Sequence, residues 1–172
     1  MKTIGRRTAL ALTGATLAGP AIAQTYPDRP IRMIVPSAPG SGPDIMARAI
    51  GQKLSESLGQ SIVIDDKPGA GGIIGSETAA KAAPDGYTLI MSNAGSHAVN
   101  ASLYAKLPFD PVRDFAPVTL VAMAPNILIV HPTLPVRSAR ELIALAKAKP
   151  GALTFGSAGI GNSQHLAGEL FN

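Results

Sequence analysis

The stretch Ile31-Arg32-Met33-Ile34-Val35 decides the fold, because it is a short apolar run, rich in β-branched residues, that ends at a proline. Its composition and length predict a buried strand. A turn follows at 39–44, where Pro43 suits the first position of a helix and Asp44 suits the positive end of the helix dipole. Beyond it, Met46, Ile50, Leu54 and Leu58 recur every four residues as far as Gly59. This spacing predicts one amphipathic helix with a glycine stop.

The same strand-then-helix pattern repeats downstream. We expect strands at 61–64 and 87–91, with a glycine-rich loop at 68–72 and a helix of about ten residues to Ala83 between them. Alternation at this spacing predicts βαβ units, and therefore a parallel sheet. A short helix is expected near 98–104.

The last third of the chain carries further element signals. Two apolar runs predict strands at 118–123 and 126–130, and a third short strand is expected at 153–155. The capping box Ser138-Ala139-Arg140-Glu141 predicts a helix that runs to Lys149. Asn162 or Ser163 would cap a final helix. The sequence stops inside that helix, which favours a piece of a longer protein; a short protein whose last helix docks on its core is the alternative.

Residues 1–23 have the three parts of a secretory signal peptide. A basic start (Lys2, Arg6 and Arg7) precedes a mild apolar stretch and a small-x-small pattern before Gln24. The pair Arg6-Arg7 also fits a twin-arginine signal. We therefore expect export by the Sec or the twin-arginine route; an unprocessed cytosolic N-terminus is the alternative.

Composition excludes several classes of protein. Hydrophobic residues make up 46% and charged residues 15%, which excludes a disordered polyelectrolyte. Beyond residue 23 the chain carries 12 basic and 11 acidic side chains, and aromatic residues are 4% of the whole, so no nucleic-acid partner is expected. There is no Cys, which excludes disulfides and thiolate nucleophiles. The three His residues share no metal-ligand spacing, so we expect no metal and no cofactor.

Three strand-to-helix junctions are rich in glycine: 39–44, 68–72 and 156–163. In a parallel sheet such loops lie at the carboxyl ends of the strands, where ligands bind. Glycine lets successive main-chain N–H groups converge at a helix N-terminus, which favours an anion such as a carboxylate or phosphate. The alternative is that these glycines only make tight turns and close helix–sheet contacts.

Catalytic motifs are weak. The loops lack the Gly-Lys-Ser/Thr of a P-loop, and Gly75 lies one residue late for a dinucleotide fingerprint. Ser157 and Ser163, with His165 nearby, suggest a nucleophile and a base, but the chain has no Gly-x-Ser-x-Gly elbow. An exported α/β hydrolase-like enzyme is therefore the alternative function. More simply, His165 is a first-turn residue whose ring bonds a neighbouring loop.

Several blocks taken in order resemble one known family. They are Tyr26–Arg32, Val35–Asp44, Lys67–Gly75, Pro84–Leu89, Leu103–Asp110 and Gly156–Ala167. The pattern is similar to that of the extracytoplasmic substrate-binding receptors of tripartite tricarboxylate transporters, the Bug family of Bordetella-type bacteria. The resemblance covers nearly all of residues 24–172 and about the first half of a typical member.

The resemblance implies an α/β fold of the periplasmic-binding-protein type (type II), with two α/β lobes, a hinge and a ligand in the cleft. Residues 24–122 would form the first lobe and 123–172 the start of the second, which is incomplete here. It implies a monomer in the periplasm without catalytic residues. Its partners would be a small organic carboxylate and the membrane permease subunits of the transporter.

The family's ligand loops carry over onto two segments of this sequence, which would hold a ligand carboxylate partly through ordered water. The first loop supplies Ala38, Pro39, Gly40, Ser41, Gly42 and Asp44. The facing loop supplies Ser157, Ala158, Gly159, Gly161, Asn162, Ser163 and His165. Ser96 and His97 follow the third strand and would border the cleft. Asp44 carries the same charge as a carboxylate ligand and would repel it. We therefore expect Asp44 to order its loop and not to contact the ligand.

Two positions depart from the family pattern. Ser37 stands where the family usually has Phe, and Pro43 where Thr is frequent. Losing the aromatic ring would open the pocket floor, and losing the hydroxyl would remove one contact to ligand or water.

Overall fold

The computed structural model describes residues 26–171, so the predicted signal peptide at 1–23 lies outside the described residues. Strand β1 (Ile31–Val35) is the centre of a three-stranded parallel sheet with the order β2-β1-β3. Its neighbours are β2 (Ile62–Asp66) and β3 (Thr88–Ile90). The predicted parallel sheet is therefore confirmed in this part of the chain.

The core forms where β1 is covered on both faces. Ile31, Met33, Ile34 and Val35 are all buried, as expected for an apolar run in a parallel sheet. Met33 and Val35 pack with Ala47 of the first helix, and Leu54, Ile62, Ile64, Leu89 and Met91 surround this group. Burial of this run is the main source of hydrophobic stabilisation in the sheet.

Helix α1 (Gly42–Leu58) matches its prediction at both ends, with proline in its first turn and Gly59 in the left-handed region at its C-cap. The face nearest the sheet differs slightly from the expected one, because Ala47 and Gly51 are its buried small residues. A methyl group on Gly51 would lie 3.3 Å from Ile64 Cδ1, so the small residues permit close packing. The longer apolar side chains flank this contact.

The other helices are short. Helix α2 (Ile73–Ala80) ends three residues before the predicted Ala83, since the residue before a proline disfavours helical geometry. A π turn at Gly95–Val99 leads into α3 (Asn100–Leu103). Helices α4 (Ala139–Ala148) and α5 (Ser163–Phe171) agree with their predictions, and the Ser138 hydroxyl accepts the Glu141 N–H as a capping box requires. Within residues 26–171, each helix is too short or too polar to cross a membrane.

Three predicted strands are wrong for this structure. Residues 118–123, 126–130 and 153–155 have no regular secondary structure. Val118, Met123 and Ile129 are each more than four-fifths exposed, so the β-branched pattern predicted burial that does not occur. A strand needs a neighbour to satisfy its N–H and C=O groups, and none of the described residues supplies one here. The division into lobes at residue 122 stays a prediction.

Helix α2 sits directly on the carboxyl end of β1. A methyl group on Gly75 would lie 2.7 Å from Pro36 Cα and 2.9 Å from the Lys67 carbonyl oxygen. Both atoms belong to the backbone, so neither can move aside without shifting a strand end. Glycine at this position is therefore a requirement of the helix–sheet contact.

We predict that Gly75→Ala lowers the free energy of unfolding by about 1–3 kcal/mol, because the added methyl overpacks the contact with Pro36. Urea unfolding followed by circular dichroism measures the change. Gly156→Ala is the matched control, since a methyl group there meets nothing within 4 Å. Equal unfolding midpoints for the two variants would contradict this account of the packing.

Candidate functional site

The loops that follow the three strands meet at one edge of the sheet, because parallel strands place their carboxyl ends together. The loop after β2 is the centre of this group. A methyl group on Gly72 would lie 2.6 Å from Ser96 Cβ and 3.0 Å from the Pro36 carbonyl oxygen. Gly72 therefore touches both the loop after β1 and the loop after β3.

The loop before α5 joins the same edge. A methyl group on Gly71 would lie 3.6 Å from the Ile160 carbonyl oxygen, and one on Gly95 would lie 3.1 Å from that of Gly161. Gly71 and Gly72 are consecutive, so Pro36, two residues before the first glycine loop, and Ile160 in the loop at 157–163 flank the same short segment. The residues at 38–40 and 157–160 are exposed, which leaves both loops open to solvent.

The first loop is held by its own hydrogen bonds. Gly40 has a φ of 77°, and its N–H donates to Asp44 Oδ2 over 2.7 Å. The Ser41 N–H donates to the Ala38 carbonyl, and the Ser37 and Ser41 hydroxyl oxygens lie 2.8 Å apart. The Gly40 amide is thus engaged inside the loop. At the start of α1, Pro43 has no N–H and the Ile45 N–H donates to the Ser41 carbonyl, so the Gly42 and Asp44 amides are the donors that an anion could use.

Asp44 is the most buried charged residue of this edge, with 3% of its surface exposed. One carboxylate oxygen accepts the Gly40 N–H, and the other lies 2.6 Å from Arg48 Nε. Arg48 Nη2 in turn lies 2.8 Å from Asp66 Oδ2, at the end of β2. The carboxylate orders the loop, in agreement with the role expected for it from the sequence.

Ser96 and His97 are occupied by packing in the π turn. Ser96 is buried; its N–H donates to Asn93 Oδ1 and its hydroxyl oxygen accepts the Asn93 N–H. The His97 ring packs edge-to-face on Phe115, with 4.6 Å between ring centroids. These contacts fix the turn that borders the loop after β2.

The second loop ends in a capped helix. Asn162 Oδ1 accepts the His165 N–H over 2.9 Å, which confirms Asn162 as the cap of α5. The His165 ring accepts the Gly161 N–H at Nδ1, and its Nε2 lies 3.8 Å from Glu169 Oε1. The ring therefore bonds the loop next to it, as expected. Gly159 and Gly161 both have positive φ, which lets the loop turn sharply above the helix.

The serines of this loop are not paired with the imidazole. The Ser163 hydroxyl donates to Asn126 Oδ1 over 3.1 Å, and the Ser157 hydroxyl accepts the Gly159 N–H. Among the described residues of this loop no serine–histidine hydrogen bond forms, so nothing here supports the hydrolase alternative.

Asn100 also lies at this edge of the sheet, although no sequence motif indicates it. It is 1% exposed, and its Nδ2 donates to the Gly71 carbonyl over 2.9 Å. Its Oδ1 is buried and accepts no hydrogen bond from the residues at 26–171. A methyl group on Gly161 would lie 3.5 Å from that oxygen. Asn100 therefore bonds α3 to the first glycine segment and packs beside Gly161, although a lone asparagine carries no sequence signal.

The described residues contain no cluster of His, Asp or Glu side chains suited to a metal ion. Two groups with shifted pKa values lie outside this edge of the sheet. The hydrogen bond to Asp28 raises the pKa of the Tyr87 phenol, and amide donors from Arg113 and Val112 lower the pKa of the Asp110 carboxyl. The first loop has no basic side chain, so any anion there would be held mainly by main-chain N–H groups.

Comparison with known proteins gives consistent matches. A family model described as the tripartite tricarboxylate transporter family receptor matches residues 46–172. Protein BugT of Bordetella pertussis is 44% identical over 158 residues, covering 91% of this chain and 48% of that protein. The chain spans about half the length of the curated relatives it matches.

Two solved structures share the fold. One is an R. palustris protein with adipate, which is 41% identical with a TM-score of 0.82 over 85% of this chain and 49% of its own. The other is the periplasmic binding protein BugD, which is 32% identical with a TM-score of 0.71 over 84% of this chain and 48% of its own. The predicted fold class, periplasmic-binding-protein-like α/β, is confirmed by these likenesses.

We predict that Asn100→Ala lowers the free energy of unfolding by about 1–3 kcal/mol, because the buried Asn100 amide loses its hydrogen bond to the Gly71 carbonyl. Chemical unfolding measures the loss. Ser102→Ala, on the exposed side of the same short helix, is the control and should change stability little. A loss no larger than that of the control would show that the hydrogen bond from Asn100 to Gly71 does not stabilise this edge of the sheet.

Proposed function

The chain belongs to the tripartite tricarboxylate transporter receptor family, and from this membership we propose that it is a solute-binding receptor for a small organic carboxylate. One observation carries the proposal. The Gly71-Gly72 segment at the carboxyl edge of the sheet lies against Pro36, two residues before the loop at 38–44, and against Ile160 in the loop at 157–163, although these loops are far apart in sequence. Parallel α/β folds bind ligands at this edge.

The proposed chemistry is capture by main-chain donors. The N-termini of α1 and α5 follow the two loops, and the free amides and positive dipole end of a helix favour an anion. Ordered water can bridge the remaining gaps. The first loop would contribute Ala38, Pro39, Gly40, Ser41, Gly42 and Asp44. The second would contribute Ser157, Ala158, Gly159, Gly161, Asn162, Ser163 and His165.

Within this site we assign supporting roles to the buried side chains. Asp44 would shape the first loop, since its carboxylate already accepts the Gly40 N–H and forms an ion pair with Arg48. Ser96 and His97 would hold the turn beside Gly72 and border the ligand without bonding it through Ser96 Oγ. Ser37 leaves more room than the aromatic residue usual in the family.

The ligand class that fits best is a small dicarboxylate. The R. palustris relative was solved with adipate, which carries a carboxylate at each end. In this chain each glycine loop can face one anionic group, because both loops are exposed and lie at the same edge. The charge of each carboxylate would then be met by backbone dipoles.

Location and partners follow from the same membership. We propose that residues 1–23 direct export to the periplasm, and that the receptor acts there as a monomer. It would deliver its carboxylate to the membrane permease subunits of a tripartite transporter. Binding and release without catalysis fit the serines of the second loop, whose hydroxyls bond to Asn126 and Gly159 and not to the His165 ring.

The first test is calorimetric titration of the purified protein with adipate and succinate, with hexanoate as the control. Hexanoate matches adipate in carbon number and lacks the second carboxylate. We expect adipate or succinate to bind and hexanoate to bind much more weakly. An absence of binding across a broad panel of dicarboxylates would overturn the proposal.

The second test places a side chain on the proposed donor loops. We predict that Gly40→Val and Gly159→Val each weaken dicarboxylate binding by about tenfold or more, because a side chain blocks approach to hydrogen-bond donors. Gly151→Val is the matched control. Gly151 has a φ of 74°, close to the 77° of Gly40, and open space around it, but it lies after α4. Similar losses in all three variants would indicate backbone strain and contradict the loop assignment.

A further inference from the structure

Arg48 connects two nearly buried carboxylates at the edge of the sheet. Its Nε lies 2.6 Å from Asp44 Oδ1 and its Nη2 lies 2.8 Å from Asp66 Oδ2. The Asp44 and Asp66 side chains are only 4% and 11% exposed, whereas that of Arg48 is 55% exposed. The guanidinium therefore covers two acids that have little access to water.

The net charge of this cluster has the same sign as the anion that we propose binds nearby. Two carboxylates and one guanidinium leave a net negative charge beside a loop that we propose binds an anion. Burying a carboxylate is unfavourable unless it is paired. Two oxygens, Asp44 Oδ1 and Asp66 Oδ1, are buried and accept no hydrogen bond from the residues at 26–171, so the contact of Asp44 with Arg48 is an ion pair. Removing Arg48 would expose an arriving carboxylate to two uncompensated like charges.

The cluster is also coupled to the loop backbone. The Asp44 oxygen that does not face Arg48 accepts the Gly40 N–H over 2.7 Å. Arg48 thus pairs ionically with the carboxylate, and the carboxylate accepts the Gly40 N–H. The planar guanidinium can reach both acids through two nitrogens at once, which the single ammonium of lysine cannot match.

We propose that Arg48 is a positioning residue for anion capture: it fixes the loop at 38–44 through Asp44 and offsets the charge of Asp44 and Asp66. This inference rests on the proposed function. The competing role is a purely structural tie between α1 and β2. The two roles differ in one respect, since only charge compensation can be replaced by deleting a negative charge.

The affinity experiment uses adipate as the probe. We expect Arg48→Ala to weaken binding by about tenfold. Arg48→Lys should fall between this variant and the wild type. The double variant Arg48→Ala/Asp66→Asn should recover a large part of the loss, because the net charge of the cluster returns to its original value. Lys53→Ala is the control: it breaks the Lys53–Glu56 pair on the same helix and should leave affinity unchanged.

A second measurement needs no ligand. Amide hydrogen exchange at Gly40 should be faster in Arg48→Ala than in the wild type and unchanged in Lys53→Ala. If Gly40 exchange is unaffected, the positioning role is wrong. If exchange rises but adipate affinity does not change, or the double variant recovers nothing, the effect on anion capture is wrong. If the wild type binds no carboxylate while exchange at Gly40 still responds, the proposed function fails and the coupling of Arg48 to the loop stands.

Discussion

The burial of β1 between two parallel neighbours is the constraint on which the rest of the structure depends. The strand pairs with β2 on one side and with β3 on the other, and both pairings run in the same direction. All three strands therefore end at one edge, and the loops that follow them are brought together. A ligand site at that edge requires no special arrangement beyond short, closely packed loops.

Close packing is achieved by glycines at two positions. Gly75 lets α2 contact the backbone of Pro36, and Gly72 lets the loops after β1 and β3 meet. The glycines of the second strand-to-helix junction thus serve packing, which was one of the two roles left open by the sequence. The first and last junctions retain exposed amide-rich loops. The same residue type serves packing in one loop and is proposed to serve access to an anion in the others.

The sequence predicts elements well where one local rule decides the outcome. Strand β1, both ends of α1 and the Ser138 cap follow from an apolar run, a proline–glycine pair and a capping box. It fails at 118–130, because a β-branched pattern predicts a strand only when a neighbour is present to pair with it. The sequence also did not predict the contacts of Asn100 or the Arg48–Asp66 pair. Their partners are distant in sequence, and no spacing rule connects an asparagine to a carbonyl or an arginine to a strand end.

The register of the sheet has a consequence for the order of folding. Ile31 pairs with Ile62 and Arg32 pairs with Thr88. The central strand is therefore synthesised first, and both of its pairing partners are synthesised after it. No local hairpin can shelter it in the meantime, since parallel strands are joined only through intervening helices. The nascent chain therefore keeps this apolar segment uncovered until the third strand emerges. Such non-local pairing slows folding. A chaperone that delays folding would therefore have this uncovered segment as a target.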